Sequence, residues 1–154
     1  MKNLIALLTA LVIGALPFHA AAADEQRASE PEAEAMVKKA VAFYKKNGRD
    51  KALAEFSKPG GKFVDRDLYV TVYTQDGKCL AHINDRVVGK NMWDQRDVDG
   101  KYFTRERLEA SKTQTSGWQD FKFFNPVTKK IEPKRQYWER HDDLVFAAGA
   151  YRPD

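Results

Sequence analysis

The stretch GWQDFKFFNPVTKKIEPKRQYWERHDDLVFAAGAY, residues 117–151, decides the fold of this 154-residue chain. Aromatic residues alternate there with charged and polar ones over short runs, which is typical of half-buried β-strands. Two turn sequences divide the stretch, Asn-Pro-Val-Thr at 125–128 and Asp-Asp at 142–143. We therefore predict three strands, each antiparallel to the next, over residues 118–124, 131–141 and 144–151.

Lys134 is the unusual residue of this stretch. It lies among strand-forming residues, on the same expected face as Trp138. A lysine that faces inward needs an anion as its partner. A lysine that faces solvent would instead lay its alkyl stem over Trp138, and the sequence leaves both orientations open.

A second strand pair precedes this stretch. The run LYVTVYT at 68–74 is rich in β-branched and aromatic residues, Gln-Asp-Gly-Lys at 75–78 forms a turn, and residues 79–83 return as the second strand of a hairpin. Alternation places one apolar set and one polar-aromatic set on opposite faces: Leu68, Val70 and Val72 against Tyr69, Thr71 and Tyr73. We expect a helix to cover the first face and the second to form a polar-aromatic surface.

Helices are predicted in the first part of the chain. Ser29 followed by Glu32 forms a capping box that opens an amphipathic helix, which ends at Asn47-Gly48. A short helix over residues 49–56 and a loop at 58–61 follow. We expect residues 24–32 to be a flexible N-terminal segment and residues 33–154 to form one domain.

The segment at residues 84–100 is long and irregular, yet it contains Val, Met and Trp, so we interpret it as a candidate lid. A helix is predicted over residues 101–111. The predicted fold class is therefore α+β: a long N-terminal helix packed on a central antiparallel sheet of about five strands.

The first 23 residues have the pattern of a secretory signal peptide. Lys2 supplies a positive charge, an apolar run covers residues 4–16, Pro17 interrupts it, and alanines at 21–23 fit a cleavage site. This predicts a periplasmic or secreted protein. The alternative is an uncleaved membrane anchor. After cleavage we expect no membrane insertion, because no later apolar run could span a bilayer.

Composition excludes several functions. The net charge is +4, but Lys and Arg are spread along the chain without a basic stripe, so we predict no nucleic-acid partner. Cys79 is the single cysteine, which excludes an internal disulfide. We interpret it as a small buried hydrophobic residue, although pairing between molecules or a reactive thiol would also fit a lone cysteine.

Metal and nucleophile motifs are incomplete. Residues 95–106 match a calcium-binding loop except at the first position, where Gln95 replaces Asp, so a solvated acidic loop is the simpler interpretation. Two histidines, His82 and His141, remain after the signal peptide, and the one cysteine has no zinc-ligand spacing to them. Cys79 and His82 would lie on opposite strand faces, which argues against a catalytic pair. We predict no cofactor.

A recognition site for a small anion is the remaining hypothesis. A small carboxylate needs a few fixed donors within an apolar pocket, which lysine, tyrosine and histidine can supply. Lys134 and Tyr137 are separated by an odd number of residues, so both can face one pocket only if a bulge or a strand start lies near Pro133.

Four pieces of the chain carry a family resemblance: ALAEFSKPGGKFVDRDLYVTVYTQDGKCLAH, VVGKNMWDQRDVDGKYF, SGWQDFKFFNPVTKKIEPKRQYW and VFAAGAY. In this order, behind a leading helix, they resemble single Cache sensor domains of the extracytoplasmic, PAS-like type over about residues 33–151. The resemblance implies binding of a small molecule, and several members of this subgroup bind short monocarboxylates.

The resemblance also implies site residues. Lys134 and Tyr137 would hold the carboxylate, and five others would line the pocket: Tyr69, His82, Trp93, Trp118 and Phe121. The family commonly has a tyrosine where Phe121 stands, which would change the ligand choice. Most members sit between two transmembrane helices that drive an output module. We expect this chain to signal through a partner, a membrane receptor or kinase.

Two other classes of function remain open at this stage. A small periplasmic enzyme would need His82 or His141 as a base beside a carboxylate in the cleft. A protein-interaction module would instead fill the cleft with its own side chains, among which Phe121, Phe123, Phe124 and Trp138 are candidates.

Overall fold

The computed structural model describes residues 27–153 of the chain. The predicted signal peptide at residues 1–23, and with it the alternative of an uncleaved anchor, lies outside these residues. Within the described part, no helix is both long enough and apolar enough to cross a membrane.

Three α-helices and one 3₁₀ turn form in the described residues. Helix α1 spans Glu30–Asn47 and begins with the predicted capping box, in which the Ser29 and Glu32 side chains each accept the other's backbone N–H. It ends at Gly48, whose φ of 82° is a conformation that glycine adopts without strain. Helix α2 spans Arg49–Phe56, α3 spans Phe103–Ser111, and the 3₁₀ turn spans Asp85–Val87.

The strands form a small ribbon and a central sheet. The ribbon pairs β1, Val64–Asp65, with β2, Leu68–Tyr69. The sheet has five strands: β3 (Thr71–Thr74), β4 (Cys79–Ala81), β5 (Ser116–Phe124), β6 (Ile131–His141) and β7 (Leu144–Tyr151). Their order is β4-β3-β7-β6-β5, with every neighbouring pair antiparallel. The predicted α+β fold class is confirmed.

The two faces of the sheet differ as the alternation predicts. Helices α1 and α2 cover one face, where Leu68, Val70 and Val72 join the main hydrophobic core. On the other face, α3 and the connection before it pack against a smaller cluster around Leu108 and Trp138. This second face also carries the side chains of Tyr69, Thr71 and Tyr73, and the candidate site forms there.

The start of the described chain is attached to the domain. Arg27 forms a two-pronged salt bridge with Glu132 at 2.9 Å, and the Ala28 N–H donates to the Asp67 carboxylate at 2.8 Å. Helix α1 then begins at Glu30, three residues before the expected domain boundary. The described residues 27–32 thus form an ion pair and a helix cap, whereas the flexibility of residues 24–32 stays a prediction.

Candidate functional site

Lys134 faces inward from β6. Its side chain is 2% exposed, and its Nζ donates to the Tyr151 hydroxyl at 3.3 Å. The same nitrogen lies 4.1 Å from the ring centroid of Tyr69 and 4.4 Å from that of Tyr151. Aromatic faces and one hydroxyl therefore replace the water that an exposed ammonium would have.

Burial is costly for this ammonium group. It lowers the pKa of Lys134 to about 7, although the negative charge of Asp67 acts in the opposite direction. Asp67 is occupied elsewhere, since its carboxylate accepts from the Ala28 N–H at 2.8 Å and from the Asn125 amide at 3.2 Å. Between residues 27 and 153, no carboxylate forms a salt bridge with Lys134.

A second buried cation, Arg107 of α3, reaches the same cavity. Its Nη1 donates to the Oε1 atom of Gln136, and its guanidinium carbon lies 5.1 Å from the ring centroid of Tyr73. The Arg107 Nε is buried and has no hydrogen-bond partner in the described structure. Burial lowers the pKa of Arg107 as well. Two cations thus line one small cavity, and the Arg107 Nε–H is an unused donor.

Arg107 was not among the predicted site residues, although the helical spacing of its neighbours could have indicated that it faces the interior. Thr104, Arg107, Leu108 and Ser111 are all buried and follow the spacing of one helix face. A charged residue in the middle of such a face has to be paired or functional.

His82 is neutral and supplies a third donor. It is 7% exposed, and burial together with the charge of Lys134 lowers its pKa to about 4. Its Nδ1 accepts the Asn84 N–H at 2.9 Å, so the ring proton resides on Nε2. The His82 ring lies 5.2 Å from that of Tyr69, centroid to centroid.

Two adjoining cavities surround these groups. The inner cavity has a volume of about 10 Å³ and contains Lys134 and Arg107 in its lining. The outer cleft has a volume of about 540 Å³ and opens between the sheet and residues 83–95. Both cavities are lined by the same four residues: Tyr69, Tyr73, His82 and Phe123. These side chains form the wall between the two cations and the open cleft.

The structure brings together four of the seven predicted site residues. Lys134, Tyr69, His82 and Phe121 all line the inner cavity. Phe121 stacks on Phe103 with ring centroids 4.4 Å apart, so an aromatic pair forms one side of the cavity.

Tyr137 and Trp118 do not share this cavity, which corrects the expectation for both. They pair across β5 and β6, their rings 5.2 Å apart, and both pack on the face that α1 covers. The reason is the odd separation from Lys134. Pairing between β5 and β6 continues without a register shift through Pro133, so no bulge brings Tyr137 to the other face.

Trp93 also lies elsewhere. It lines a separate open cleft beside α3, where Arg105 and Lys112 each approach its ring to 5.9 Å. The preceding residue, Met92, lines the outer cleft instead. The candidate lid at residues 84–100 therefore does border the cleft, but through other side chains than its tryptophan.

The remaining motifs have structural explanations. Asp97 of the calcium-like loop accepts the backbone N–H groups of Asp99, Lys101 and Lys122, at 3.0, 2.9 and 3.1 Å. Among residues 27–153, no group of three or more His, Cys, Asp or Glu side chains is arranged to hold a metal ion. Cys79 is buried, which raises the pKa of its thiol to about 11.

Comparison with known proteins gives one family and several similar folds. Residues 2–145 match the family model described as Single Cache domain 2. A methyl-accepting chemotaxis protein from Vibrio parahaemolyticus RIMD 2210633 is 22% identical in its crystal structure, with a TM-score of 0.68 over 85% of this chain and 91% of that one. No curated protein matched the sequence.

Two further solved structures share the fold. A periplasmic sensor domain of a chemotaxis protein is 19% identical, with a TM-score of 0.62 over 80% of this chain and 90% of that one. A Cache chemosensory domain, described in terms of carboxylic acid recognition, is 15% identical, with a TM-score of 0.62 over 80% and 88% of the two chains. At these identities the likeness establishes the fold.

Proposed function

Since the chain belongs to the Single Cache domain 2 family, we propose that it is a sensor-type domain that binds the carboxylate of a small organic acid. The observation that carries this proposal is the pair of buried cations, Lys134 and Arg107, in one cavity. Buried charges without partners are unfavourable, and an anion would compensate both at once.

The available donors suit a carboxylate. The Lys134 ammonium, the unpaired Arg107 Nε–H and the His82 Nε2–H could share its two oxygens. The aromatic rings of Tyr69 and Phe121 would exclude water around them. A carboxylate would also favour the charged form of Lys134, so its pKa would rise on binding. Recognition of carboxylic acids by a structurally similar Cache domain supports this choice of ligand.

The inner cavity, at about 10 Å³, has room for about one water molecule, so binding requires its wall to open. Tyr73, His82 and Phe123 lie between the cations and the outer cleft, and their displacement would admit the acid. We propose that this movement is what a partner, such as a membrane receptor or kinase, detects. We place the domain in the periplasm or outside the cell, after removal of residues 1–23.

Thermal unfolding of the purified protein with a panel of short carboxylic acids tests the proposal. At about one hundred times its dissociation constant, an acid should stabilise the protein by about 2.7 kcal/mol. Lys134→Met should abolish that gain, whereas Lys130→Met, which removes an exposed lysine from the β5–β6 turn, should preserve it. A panel without any stabilising acid, or equal stabilisation of the Lys134→Met variant, would contradict the proposal.

The enzyme alternative finds little support in the geometry. No carboxylate of residues 27–153 forms a hydrogen bond or an ion pair with His82. His141 lies beside Asp142 at the β6–β7 turn and packs against Tyr44 of α1, away from both cavities. The small volume of the inner cavity does favour the interaction module, and a panel in which no acid binds would support that function.

A further inference from the structure

We propose that the ligand is a monocarboxylic acid with an extended apolar body, longer than about three carbon atoms, which occupies the outer cleft while its carboxylate reaches Lys134 and Arg107. This inference rests on the proposed function and specifies the class of its ligand. Acids as small as acetate would use only the inner part of the site.

The two cavities differ greatly in volume. The inner cavity offers about 10 Å³ around the cations, which is space for about one water molecule, so only the carboxylate of a ligand would enter it, and only once the wall has opened. The outer cleft offers about 540 Å³, within the range of about 300–1,000 Å³ that small-molecule sites occupy. The volume that an organic body needs therefore exists beside the cations and already stands open.

Much of the lining of the outer cleft is apolar. Six of its side chains are apolar: Ile83, Val87, Met92, Phe123, Phe124 and Pro126. They come from the residues that follow β4, from the lid and from the β5–β6 hairpin, so three segments of the chain contribute apolar groups to the cleft. Met92 is unbranched and flexible, which suits a wall that has to adapt to a bound alkyl or aromatic group.

The two cavities also differ in the charged residues that line them. Among residues 27–153, no lysine or arginine lines the outer cleft, whereas Asp85 does. A second carboxylate on the ligand would find no cation there and would be repelled by Asp85. The cations are confined to the inner cavity, so the site favours one acidic group at one end of an apolar molecule.

Calorimetric titration of the full purified protein with acetate, butanoate, hexanoate and octanoate tests the ligand class. We expect affinity to rise about two- to fourfold for each methylene that enters the cleft. Adipate, which has the length of hexanoate and a second carboxylate, should bind at least tenfold more weakly than hexanoate. Hexanamide, which has the body without the charge, should also lose at least tenfold.

Two neighbouring valines provide matched variants. Val87 lines the outer cleft, whereas Val88 is 37% exposed and is not part of its lining. Val87→Ser should weaken hexanoate several-fold and leave acetate unchanged, and Val88→Ser should change neither. If Val87→Ser proves too unstable to titrate, the chain-length series and the adipate comparison decide the inference on the unaltered protein.

The outcomes separate this inference from the proposed function. If all four acids bind with equal affinity and Lys134→Met abolishes their binding, the proposed function stands and the ligand class is wrong. If no acid binds, or if hexanamide binds as tightly as hexanoate, both fail. Affinity that rises with chain length, depends on Lys134 and falls in Val87→Ser supports both.

Discussion

The Lys134 ammonium lies 4.1 Å from the ring centroid of Tyr69, and the lysine is almost fully buried. The hydroxyl of this tyrosine lies 3.2 Å from that of Tyr151, which in turn donates to the Phe124 carbonyl oxygen at 2.7 Å. The aromatic cage is therefore fixed by its own hydrogen bonds before any ligand arrives. The cage holds the ammonium in place without neutralising its charge. The buried charge therefore destabilises the free protein, and an anionic ligand would compensate it.

Lys134→Met should raise the stability of the free protein. The variant keeps an unbranched side chain of similar length among the aromatic rings and removes the buried charge, which has no salt-bridge partner in residues 27–153. We expect the free energy of unfolding to rise on the order of 2–4 kcal/mol at pH 7, because uncompensated burial of a charge is commonly more costly than burial of an isosteric apolar group. Urea denaturation measures the difference. A less stable variant would show that the cage compensates the ammonium fully.

The gap between the variant and the wild type should shrink as the pH rises. The pKa of Lys134 is lowered from 10.5 to about 7 in the folded protein. Below pH 7 the lysine is charged in both states, and the cost of burial is fully present. Between pH 7 and about 10 the folded protein releases the proton while the unfolded chain keeps it, so the stability of the wild type rises with pH, by at most about 1.4 kcal/mol per pH unit.

Denaturation of both proteins at several pH values between 6 and 10 tests this shift. In the folded protein the neighbouring groups do not titrate in that window, because the pKa of His82 is lowered to about 4 and that of Tyr69 is raised to about 12. Their titration in the unfolded chain is common to both proteins and cancels in the difference. Above pH 9 the unfolded chain releases the Cys79 proton, whereas the folded protein keeps it because burial raises its pKa to about 11. This lowers the stability of both proteins equally, so the effect cancels in the difference. A gap that stays constant up to pH 10 would mean that Lys134 remains charged in the folded state.

Strand alternation predicted correctly which sheet face carries the site, and the site prediction failed where the family resemblance was followed against that alternation. Leu68 and Tyr69 lie on the expected faces because both faces of the sheet are covered and a one-residue slip would bury the wrong set. By the same rule Tyr137 had to lie opposite Lys134, and it does. The family resemblance had placed both at one carboxylate, which required a bulge that the strand does not have.

Other parts of the site depend on contacts between distant segments. Arg107 enters the cavity because α3 packs across β6, and its partner Gln136 lies 29 positions along the chain. No local pattern specifies that pairing. No local pattern indicates the salt bridge between Arg27 and Glu132 either, because the two residues are 105 positions apart.

Asn125→Ala should be strongly destabilising. This fully buried amide donates to the Asp67 carboxylate at 3.2 Å and to the Glu132 carboxylate at 2.8 Å, and its Oδ1 accepts the Val127 N–H at 2.8 Å. Alanine would leave two buried carboxylates without their shared donor. We expect a loss of about 2–4 kcal/mol in the free energy of unfolding, since unsatisfied buried groups cost about 1–3 kcal/mol each.

The matched control is Asn91→Ala. The Asn91 side chain makes two hydrogen bonds, to the Asp76 carbonyl oxygen and from the Trp93 N–H, but it is exposed, so water can replace them. Its loss should stay below about 1 kcal/mol. Equal effects of the two substitutions would show that the network that joins Asp67 to Glu132 does not stabilise the fold beyond ordinary surface contacts.

Gly149→Ala should damage the site directly. A Cβ at this position of β7 would lie 2.8 Å from Lys134 Cε, 2.9 Å from the Arg135 carbonyl oxygen and 2.9 Å from Gln136 Cα. Two of these atoms belong to the backbone of β6 and can move only if the strand shifts. The added Cβ would therefore displace Lys134 and shift β6. We expect a loss of about 1–3 kcal/mol in stability from overpacking and at least tenfold weaker binding of any acid that the wild type binds.

Gly117→Ala is the control that separates the loss of stability from the loss of acid binding. A Cβ there would lie 2.8 Å from Trp138 Cζ2, a comparable overlap on the same sheet, but against a tryptophan side chain rather than Lys134. It should lower the stability by a similar amount and change acid affinity less than threefold. Because both variants overpack the sheet, a general loosening of the fold would weaken binding equally in the two. Selective loss in Gly149→Ala would instead show that affinity depends on where β7 holds the Lys134 side chain.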